Sequence, residues 1–471
     1  MNAETCYGAM VARDRRFDGL FYVGVKTTGI YCRPICPVRL PAAANCTFFR
    51  CAAEAEKHGF RACLRCRPEL APGRASVDAR ADLAERAARQ IDAGYLDAHS
   101  VEALSDRLGA SARHVRRALE AELGVTPVEF AQTRRLAIAK RLLHDTTLPL
   151  VEVAAASGFA SLRRFNAAFA ERFGRPPSAL RRDAGRYVGH ADAIVLRLDY
   201  RPPMDWGDTL AFLAGRAIPD LEHIDPARGT YTRRLGGGGE VHVAAHAREP
   251  YLIAHVSLDR VGPLGALTQR LRSLFDLDMR PDVIAAQLGR DPRLAQSVAL
   301  RPGLRVPGAF DGFETAVRAV LGQQVSVAAA TTLARRLVAR HGRFPDADTL
   351  AASPLAEVRA IGLPTKRAET LLGLARAVAD GRIDLTGAGA GGDPEATIAR
   401  LVELPGFGPW TANYLAMRAL HWPNAFPAAD LGVKKALGLT RPRDILARAE
   451  RWAPWRAYAV MHLWRSLGDP S

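Results

Sequence analysis

All seven cysteines of this 471-residue chain lie within its first 66 positions. Four of them form two close pairs, Cys32-x3-Cys36 and Cys63-x2-Cys66, and 26 residues separate the two pairs. This spacing is typical of a tetrahedral zinc site with four thiolate ligands, and thiolates bind zinc in preference to magnesium or calcium. The sequence therefore predicts a small zinc-binding module at the N-terminus, and it excludes a cysteine-dependent function from the rest of the chain.

The chain is strongly basic, with 65 lysine and arginine residues against 49 aspartate and glutamate residues and a net charge of +16. Such a charge either keeps a protein soluble or complements a polyanion, of which nucleic acid is the commonest. The first 20 residues lack the apolar core of a secretory signal, and no stretch reaches the ~18 apolar residues of a membrane span. We therefore expect a cytoplasmic protein without a membrane partner. In that reducing compartment, paired cysteines favour metal binding over disulfides.

The length predicts three or four domains, at roughly 100–200 residues each. The patterns indicate a multidomain fold that is mainly α-helical with small α+β modules. We place its boundaries at residues 1–73 for the zinc module, 80–185 for a helical domain, 190–300 for an α+β domain and 301–471 for a second helical domain. A glycine-rich run from Gly387 to Gly392 predicts a loop before the last helical block.

The first helical domain contains an internal repeat. Residues 111–127 recur, at an offset of 50 positions, as residues 161–177. Each copy has a short helix, a glycine-containing turn and a second helix that a serine begins, Ser111 in the first copy and Ser161 in the second. This arrangement is typical of a helix-turn-helix unit, and a helical stretch near residues 128–143 joins the two units.

The N-terminal module carries the motifs FDGLFYVGVKTTGIYCRPICPVR and GFRACLRCRP. They resemble the N-terminal domain of the bacterial Ada adaptive-response protein. In that family the first motif cysteine is a zinc-bound thiolate that takes the methyl group from a methylphosphotriester in DNA. The resemblance implies that Cys32 is the nucleophile and that Cys36, Cys63 and Cys66 complete the shell of one zinc ion.

Methyl transfer at such a site changes its charge. Four thiolates on one divalent zinc ion carry a net negative charge that repels DNA phosphate, and methylation of one thiolate halves it. We expect DNA binding to tighten afterwards, because basic neighbours then dominate. These neighbours are Arg33, Arg39, Arg65 and Arg67. The other three cysteines have no such pairing, and we expect ordinary small apolar residues at Cys6, Cys46 and Cys51.

Residues 85–182 resemble the AraC-type regulatory domain, which carries two helix-turn-helix units on one chain. The matching text is LSDRLGASARHVRRALEAELGVTP and VAAASGFASLRRFNAAFAERFGRPPSALRR. Residues near the N-terminus of each recognition helix reach base edges in the major groove, and the others contact phosphate or solvent. The DNA-binding candidates are Arg113, His114, Arg117, Arg163, Arg164 and Asn166, beside Ala112, Arg116 and Leu162. We expect promoter DNA and RNA polymerase as partners of a monomeric, nucleoid-associated bacterial protein.

The C-terminal half contains the turn LPGFGPWTA, in which Gly406 and Gly408 precede a helix, and the later run FPAADLGVKK, which contains Asp430. Glycines let a backbone approach a DNA phosphate, and the helix N-terminus supplies N–H donors. Together the two runs resemble the helix-hairpin-helix DNA glycosylases, and residues 194–471 resemble the AlkA type of 3-methyladenine glycosylase. The resemblance implies that Asp430 is catalytic. Asp430 also has the position of a helix N-cap, and both roles can coexist.

The same resemblance implies an aromatic pocket for a flipped base, formed by Phe212, Trp410, Tyr414 and Trp464. Electron-rich ring faces attract a cationic alkylated base, although core packing is the ordinary role of such rings. Trp410 stands where strand-cutting relatives have a lysine nucleophile, which implies a monofunctional enzyme that uses water. Gln324 occupies the position where the family often inserts a leucine into the DNA.

Three interpretations remain open at this point. The first is a bifunctional protein that senses methylphosphotriesters, regulates transcription and excises alkylated bases as a 3-methyladenine DNA glycosylase of type II. The second is a regulator alone, whose glycosylase-like domain only binds DNA. The third is an enzyme alone, whose first half only localises it. Because no cysteine follows Cys66, we expect no repair of O6-methylguanine.

Overall fold

The computed structural model divides the chain into two compact units. The first unit contains Met1–Pro202 and two later segments, Gly237–Val241 and His246–Gln269; the second contains the rest. The structure describes residues 3–72, 83–92, 94–145, 148–183, 194–236, 238–257, 264–385 and 394–468. The expected domain limits at 73, 80, 185 and 190 and the glycine run Gly387–Gly392 lie outside these residues. Those boundaries stay predictions.

The zinc module is a small four-stranded sheet of order β3-β1-β2-β4 with two helices. Strand β1 pairs antiparallel with β2 and β3, whereas β2 pairs parallel with β4. Its apolar core includes Phe21, Val23 and Phe49, which are almost fully buried. The elements are α1 (Ala3–Val11), β1 (Tyr22–Val25), β2 (Ile30–Cys32), β3 (Cys46–Phe49), α2 (Ala52–Lys57) and β4 (Arg61–Ala62).

The repeat forms two helix-turn-helix units, as the sequence predicts. Ser111 and Ser161 cap the two recognition helices, α6 and α9, and their hydroxyls accept the amides of His114 and Arg164 at 3.3 Å. The helices of this region are α3 (Leu83–Asp92), α4 (Tyr95–Ala98), α5 (Val101–Arg107), α6 (Ala112–Leu123), α7 (Pro127–Asp145), α8 (Leu150–Ala156), α9 (Leu162–Phe173) and α10 (Pro177–Asp183).

Helix α7 joins the two units and also contacts the zinc module within the same compact unit. Lys140, which is 1% exposed, forms an ion pair with Glu69 at 2.8 Å and donates to the carbonyl of Cys63 at 3.0 Å. A buried lysine is stable only with such partners, so this contact is strongly specified. It ties the backbone of one predicted zinc ligand to the helix between the two recognition helices.

The next segment is the predicted α+β region. Strand β5 begins at Ile194 as expected and pairs antiparallel with β9, while β6 and β7 form an antiparallel hairpin. Its elements are β5 (Ile194–Asp199), α11 (Trp206–Ala214), β6 (Glu222–Asp225), β7 (Thr230–Arg234), β8 (Glu240–Ala245), β9 (Tyr251–Ser257) and α12 (Leu264–Leu274).

The remainder of the second unit is helical, which confirms the predicted fold class. Helix α15 is its most buried helix, with eight buried residues among ten. The helices are α13 (Pro281–Leu288), α14 (Pro292–Leu300), α15 (Gly312–Leu321), α16 (Val327–His341), α17 (Ala347–Ala351), α18 (Leu355–Arg359), α19 (Thr365–Ala379), α20 (Pro394–Val402), α21 (Pro409–Arg418), α22 (Leu431–Leu437), α23 (Pro442–Ala449) and α24 (Arg456–Ser466). Among the residues placed by the structure, none of the helices has the length and apolar character that crossing a membrane requires.

Candidate zinc centre and base pocket

The four predicted zinc ligands come together at one end of the small sheet. Their sulfur atoms all lie within 4.8 Å of one another, and none of them forms a disulfide. Cys32 ends strand β2 and Cys63 follows β4, so the parallel pairing of these two strands brings the two cysteine pairs to the same place. A tetrahedral Zn–S₄ site with bonds near ~2.3 Å fits this spacing. The donor set therefore fits one zinc ion.

The backbone donates hydrogen bonds to some of the four sulfurs and not to others. The amide of Arg33 donates to Cys66 Sγ at 3.4 Å, and the amides of Arg65 and Cys66 donate to Cys63 Sγ at 3.4 and 3.5 Å. Within the described part of the chain, no backbone amide is hydrogen-bonded to Cys32 Sγ. Hydrogen bonds to a ligand sulfur withdraw electron density from it. These hydrogen bonds leave Cys32 with a more available electron pair than Cys63 or Cys66, but they do not set it apart from Cys36, which is in none of them. Cys32 is 6% exposed, and Cys66 is the most exposed of the four.

One expectation about the charge around this centre is wrong. Arg33 does not face solvent; its side chain is 3% exposed and forms ion pairs with Asp18 and with Asp199, the latter at 2.7 Å. The two carboxylates raise the pKa of the Arg33 guanidinium against the opposing effect of burial. Arg67 is half-buried and pairs with Glu69 at 3.1 Å.

The remaining basic neighbours of the zinc centre are open to solvent. Arg39 and Arg65 are both exposed. DNA phosphate is therefore left with two of the four arginines that the sequence suggested, because the other two are held by carboxylates of the protein itself.

The helix-turn-helix surface agrees with the sequence-based expectation. One face of each recognition helix is fully buried, at Val115 and Leu119 in α6 and at Phe165 and Phe169 in α9. The opposite face of each helix therefore points outward. The exposed residues on those faces are Arg113, His114, Arg116, Arg117, Leu162, Arg163, Arg164 and Asn166, whereas Ala112 is half-buried. Their DNA contacts stay predictions, but their side chains are free of the core.

In the second unit, Asp430 is the N-cap of α22 and is bonded on both carboxylate oxygens. Its Oδ1 accepts the amide of Val433 at 3.0 Å and the indole N–H of Trp464 at 2.8 Å. Its Oδ2 accepts the indole N–H of Trp410 at 2.9 Å. Gly432 makes room for this arrangement, since a Cβ there would lie 2.8 Å from Trp464 Cδ1. The helix cap and the two indoles fix the carboxylate in one orientation.

A cavity of about 1040 Å³ opens beside this carboxylate. Asp430 and all four predicted aromatic residues line it. The rings form two parallel pairs: Trp410 lies 5.4 Å from Tyr414, and Phe212 lies 6.4 Å from Trp464, each with an interplanar angle of 13°. The sequence therefore identified a set of residues that the fold brings together from three distant segments.

Sequence reasoning missed two arginines and the double role of the tryptophans. The guanidinium of Arg216 lies 3.8 Å from the ring centroid of Phe212, and that of Arg418 lies 4.7 Å from it. Phe212 is thus already engaged by cations of the protein. Both arginines follow a pocket aromatic by four residues, Phe212 and Tyr414, and this spacing is the signal that could have found them.

The hairpin before α21 is held close to the cavity. Gly406 has φ 85°, and a Cβ on it would lie 2.2 Å from Thr370 Oγ1, so glycine is required there. Gly408 caps α21. Gln323 donates to the carbonyl of Gly406 at 3.0 Å, whereas Gln324 is exposed on the cavity rim with φ 56°. An exposed residue at that place is accessible to DNA, and the DNA-binding role of Gln324 stays a prediction.

Four family descriptions match the chain in sequence order. The metal-binding domain of Ada matches residues 5–69, and a helix-turn-helix domain matches residues 104–183. The AlkA N-terminal domain matches residues 195–311, and the HhH-GPD superfamily of base excision DNA repair proteins matches residues 317–450. This order defines a class of protein in which a zinc-binding module and a helix-turn-helix domain precede a base excision repair fold.

Relatives match both the whole chain and its parts. A Mycobacterium tuberculosis protein named as a probable bifunctional transcriptional activator/DNA repair enzyme AlkA is 40% identical over 487 residues, covering 99% of this chain and 97% of that protein. The chain therefore belongs to the family of bifunctional transcriptional activator/DNA repair enzymes of the AlkA type. DNA-3-methyladenine glycosylase 2 of Escherichia coli is 36% identical over 284 residues, covering 58% of this chain and 97% of the glycosylase. The bifunctional enzyme AdaA of Bacillus subtilis is 30% identical over 183 residues, covering 38% of this chain and 83% of AdaA.

Proposed function

We propose that this protein hydrolyses the N-glycosidic bond of alkylated bases in double-stranded DNA, as a DNA-3-methyladenine glycosylase of type II, and that it also accepts a methyl group from DNA methylphosphotriesters on Cys32. The observation that carries the first activity is the carboxylate of Asp430, which two indoles and a helix N-terminus hold at the wall of an aromatic cavity.

Asp430 acts on the sugar rather than on the base. As the bond between the base nitrogen and C1′ breaks, positive charge develops on the sugar, and a fixed carboxylate stabilises it without reorganisation. Water then adds at C1′, and Asp430 receives or directs its proton. Because Trp410 and Trp464 already donate to both oxygens, the carboxylate keeps its position while the charge in front of it grows.

Trp410 also excludes a different chemistry. A lysine at this position would attack C1′ and form a Schiff base that leads to strand cleavage. The indole cannot do so, and it instead orients Asp430 and stacks on Tyr414. We therefore assign water as the nucleophile and base release without strand cutting as the outcome.

At the N-terminal centre, Cys32 Sγ attacks the methyl carbon of a phosphotriester. The new S–C bond forms as the C–O bond breaks, and the phosphate leaves as a diester anion. A bound zinc ion would keep the four sulfurs deprotonated at neutral pH. The backbone donors at Cys63 and Cys66 disfavour those two sulfurs, and the resemblance to the Ada metal-binding domain, in which the first motif cysteine reacts, supports Cys32 over Cys36.

The two recognition helices supply the promoter contacts of a transcriptional activator. Exposed residues with hydrogen-bonding or charged side chains stand at the N-terminal ends of α6 and α9, where a major groove is read. In this proposal the protein acts as a monomer at the bacterial nucleoid and contacts RNA polymerase after methylation. The transcriptional activators among its relatives support this part.

The glycosylase activity is tested by base release from methylated duplex DNA. We expect wild-type protein to release base without cutting the strand, and Asp430→Asn to be slower by about 10²–10⁴-fold. Asp444→Asn, a change of an exposed carboxylate in α23, is the matched control and should leave the rate unchanged. Equal inactivity of wild type and Asp430→Asn would favour the regulator-only alternative.

The methyl acceptor is tested by transfer of labelled methyl from methylphosphotriester DNA to wild-type protein. Peptide mapping then locates the label without disturbing the metal site. We expect the label on the peptide that contains Cys32. A label on Cys66, the most exposed of the four cysteines, would show that exposure rather than the available sulfur electron pair selects the nucleophile.

A further inference from the structure

The turn between helices α15 and α16 lies at the mouth of the base cavity with its side chains open to solvent. All residues from Gln324 to Ala328 are exposed, and Gln324, Val325 and Val327 line the cavity. Leu431, the first residue of α22, lines it as well and is 81% exposed. Exposed apolar side chains that cluster around a cavity mouth are typical of a binding surface.

The proposed base release brings DNA to this mouth. A base that is stacked in a duplex cannot reach Asp430, so it must first unstack and unpair. This extrusion costs free energy, and it costs less when the base has no pairing partner. The place where the turn meets the DNA therefore affects extrusion, whereas cleavage of the glycosidic bond depends on Asp430.

The backbone of the turn is fixed at both ends. The amide of Gly322 donates to the carbonyl of Arg318 at the end of α15, at 2.9 Å. Ser326 caps α16, because its hydroxyl accepts the amide of Ala329 at 3.2 Å. Between these two caps Gln324 has φ 56°, a left-handed conformation that a residue other than glycine keeps only where its surroundings hold it.

Gln323 supplies a contact that holds this turn against the hairpin before α21. Its Nε2 donates to the carbonyl of Gly406 at 3.0 Å and to Thr411 Oγ1 at 3.3 Å. A carbonyl oxygen only accepts hydrogen bonds, so the nitrogen of the Gln323 amide must be the atom that faces Gly406. Both partners are held in place, since Gly406 packs closely against Thr370 and Thr411 is buried in the first turn of α21.

The same contact joins the turn to the catalytic side of the cavity. Thr411 directly follows Trp410, whose indole N–H donates to Asp430 Oδ2 at 2.9 Å. Gly406 belongs to the hairpin whose backbone is expected to approach a DNA phosphate. Gln323 thus fixes the spacing between the exposed turn, the hairpin and the element that orients the carboxylate.

We propose that Gln323 is a positioning residue for base extrusion. It holds the turn that carries Gln324 at a fixed distance from the hairpin, so that DNA bound by the hairpin meets the turn in one place. This inference rests on the proposed glycosylase activity and deepens it, since it concerns the step before bond cleavage. Without the two hydrogen bonds, the turn takes several positions relative to the hairpin and contributes less to unstacking the base.

The test compares single-turnover base release from two duplexes of one sequence at saturating protein. Both carry 7-methylguanine at the same position, opposite cytosine in one duplex and opposite an abasic-site analogue in the other. Only the first duplex requires a base pair to break, whereas the bond that is cleaved is the same in both. A fluorescent base analogue beside the lesion reports unstacking in the same reaction.

For Gln323→Met, which keeps the side-chain length and removes both donors, we expect release opposite cytosine to slow by about tenfold, as for the loss of two hydrogen bonds. The fluorescence change should weaken in parallel. Release opposite the abasic-site analogue should stay near the wild-type rate. Gln323→Glu keeps the size and polarity but has no N–H donor, so it should show the same selective loss.

Gln287→Met is the matched control. It removes a half-buried glutamine whose Nε2 donates to the carbonyl of Arg451 at 3.4 Å, and Gln287 is not among the residues that line the cavity. We expect it to change neither rate. Thermal melting of each variant establishes that it is folded.

The possible results distinguish this inference from the proposed function. If Gln323→Met and Gln323→Glu slow release from both duplexes equally, Gln323 supports the fold in general, and the positioning role is overturned while the glycosylase stands. Wild-type rates opposite cytosine in both variants overturn it as well. If wild-type protein releases base from neither duplex, the proposed glycosylase function itself fails, and the inference fails with it.

Discussion

The zinc centre and the base cavity hold their proposed reacting atoms in opposite ways. At the zinc centre, amides donate to Cys63 and Cys66, while no described backbone amide donates to Cys32. In the cavity, Asp430 receives three donors on its two oxygens. A sulfur that forms a bond needs an available electron pair, whereas a carboxylate that stabilises charge needs a fixed position. The difference agrees with the covalent chemistry proposed for one site and the electrostatic chemistry proposed for the other.

The two sites also differ in how they are assembled. The zinc ligands come from one stretch of 35 residues, Cys32 to Cys66, at and just after the ends of the paired strands β2 and β4. The cavity is built from α11, α15, α16, the α20–α21 hairpin, α22 and α24, so it exists only when the second unit is folded. We expect the first site to depend on its metal and the second on its packing.

The largest expected effect is the loss of the zinc centre. In Cys63→Ser, we expect loss of bound zinc and of the folded N-terminal module, since structural zinc contributes about 10–16 kcal/mol of apparent binding free energy in small domains. Metal analysis of the purified protein measures the loss of zinc, and a methyl-transfer assay measures the loss of a working N-terminal module. Base release from alkylated DNA should stay at the wild-type rate, and a parallel loss of base release would contradict the proposed independence of the two chemistries.

A smaller effect is expected from the ion cluster beside the proposed nucleophile. Arg33→Met leaves Asp18 buried without its cation, which typically costs about 3–5 kcal/mol of unfolding free energy, whereas Asp199 keeps its ion pair with Arg197 at 2.6 Å. Denaturant unfolding measures this cost. The control is Arg39→Met at an exposed neighbour, which should keep its stability and instead weaken DNA binding at low salt. If Arg33→Met instead keeps its stability and binds DNA more weakly, Arg33 belongs to the DNA-binding surface as the sequence suggested.

Much of this molecule was predictable because its signals are local. The four zinc ligands follow from spacing, and the serine caps at Ser111 and Ser161 follow from a repeat whose apolar positions recur every three to four residues. Asp430 follows from a short motif in which its capping role and its site role coincide. In each case the residues that matter lie within one or two turns of each other or on paired strands.

The sequence could not show which arginines pair with carboxylates that lie far along the chain. Arg33 was expected on the DNA surface because Asp199, its partner, lies far along the chain and no pattern links them. Likewise, only a four-residue spacing from a pocket aromatic marks Arg216 and Arg418 in the sequence. Nothing in the sequence shows that Arg233 and Arg318, in contrast, pair with carboxylates. The identity of a charged residue is visible in sequence, but its partner is not.

The next effect tests whether the proposed role of Asp430 depends on the fixed orientation of its carboxylate. Trp464→Phe keeps the ring and removes the indole donor to Oδ1, a hydrogen bond to a charged group worth about 1.5–3 kcal/mol. We expect base release to slow by about 10–100-fold with zinc content unchanged. Trp206→Phe removes an indole bond to the carbonyl of Gly229 and is the matched control, which should remain near wild type. Equal slowing in both variants would mean that lost packing rather than lost orientation is responsible.

The smallest effect separates the acid sensitivity of the two sites. Burial, followed by the charge of Arg301, lowers the pKa of His462 to about 4, and its Nδ1 lies 2.9 Å from Ser297 Oγ. An unfolded histidine titrates near ~6.5, so the unfolded state binds more protons between these two values. The contribution of His462 to the free energy of unfolding is therefore fully present above pH ~6.5, and it is lost as the pH falls toward 4.

Between pH ~7 and ~5.5 this linkage amounts to about 1 kcal/mol, and it acts on the second unit alone. The thiolate ligands of the zinc centre are also lost to protons on acidification, so the wild-type protein combines both contributions. Denaturant midpoints of wild type and His462→Gln at the two pH values isolate the histidine. We expect the variant to lose less stability on acidification while its zinc release follows the wild-type curve. Parallel pH slopes for the two proteins would assign the acid sensitivity to other groups.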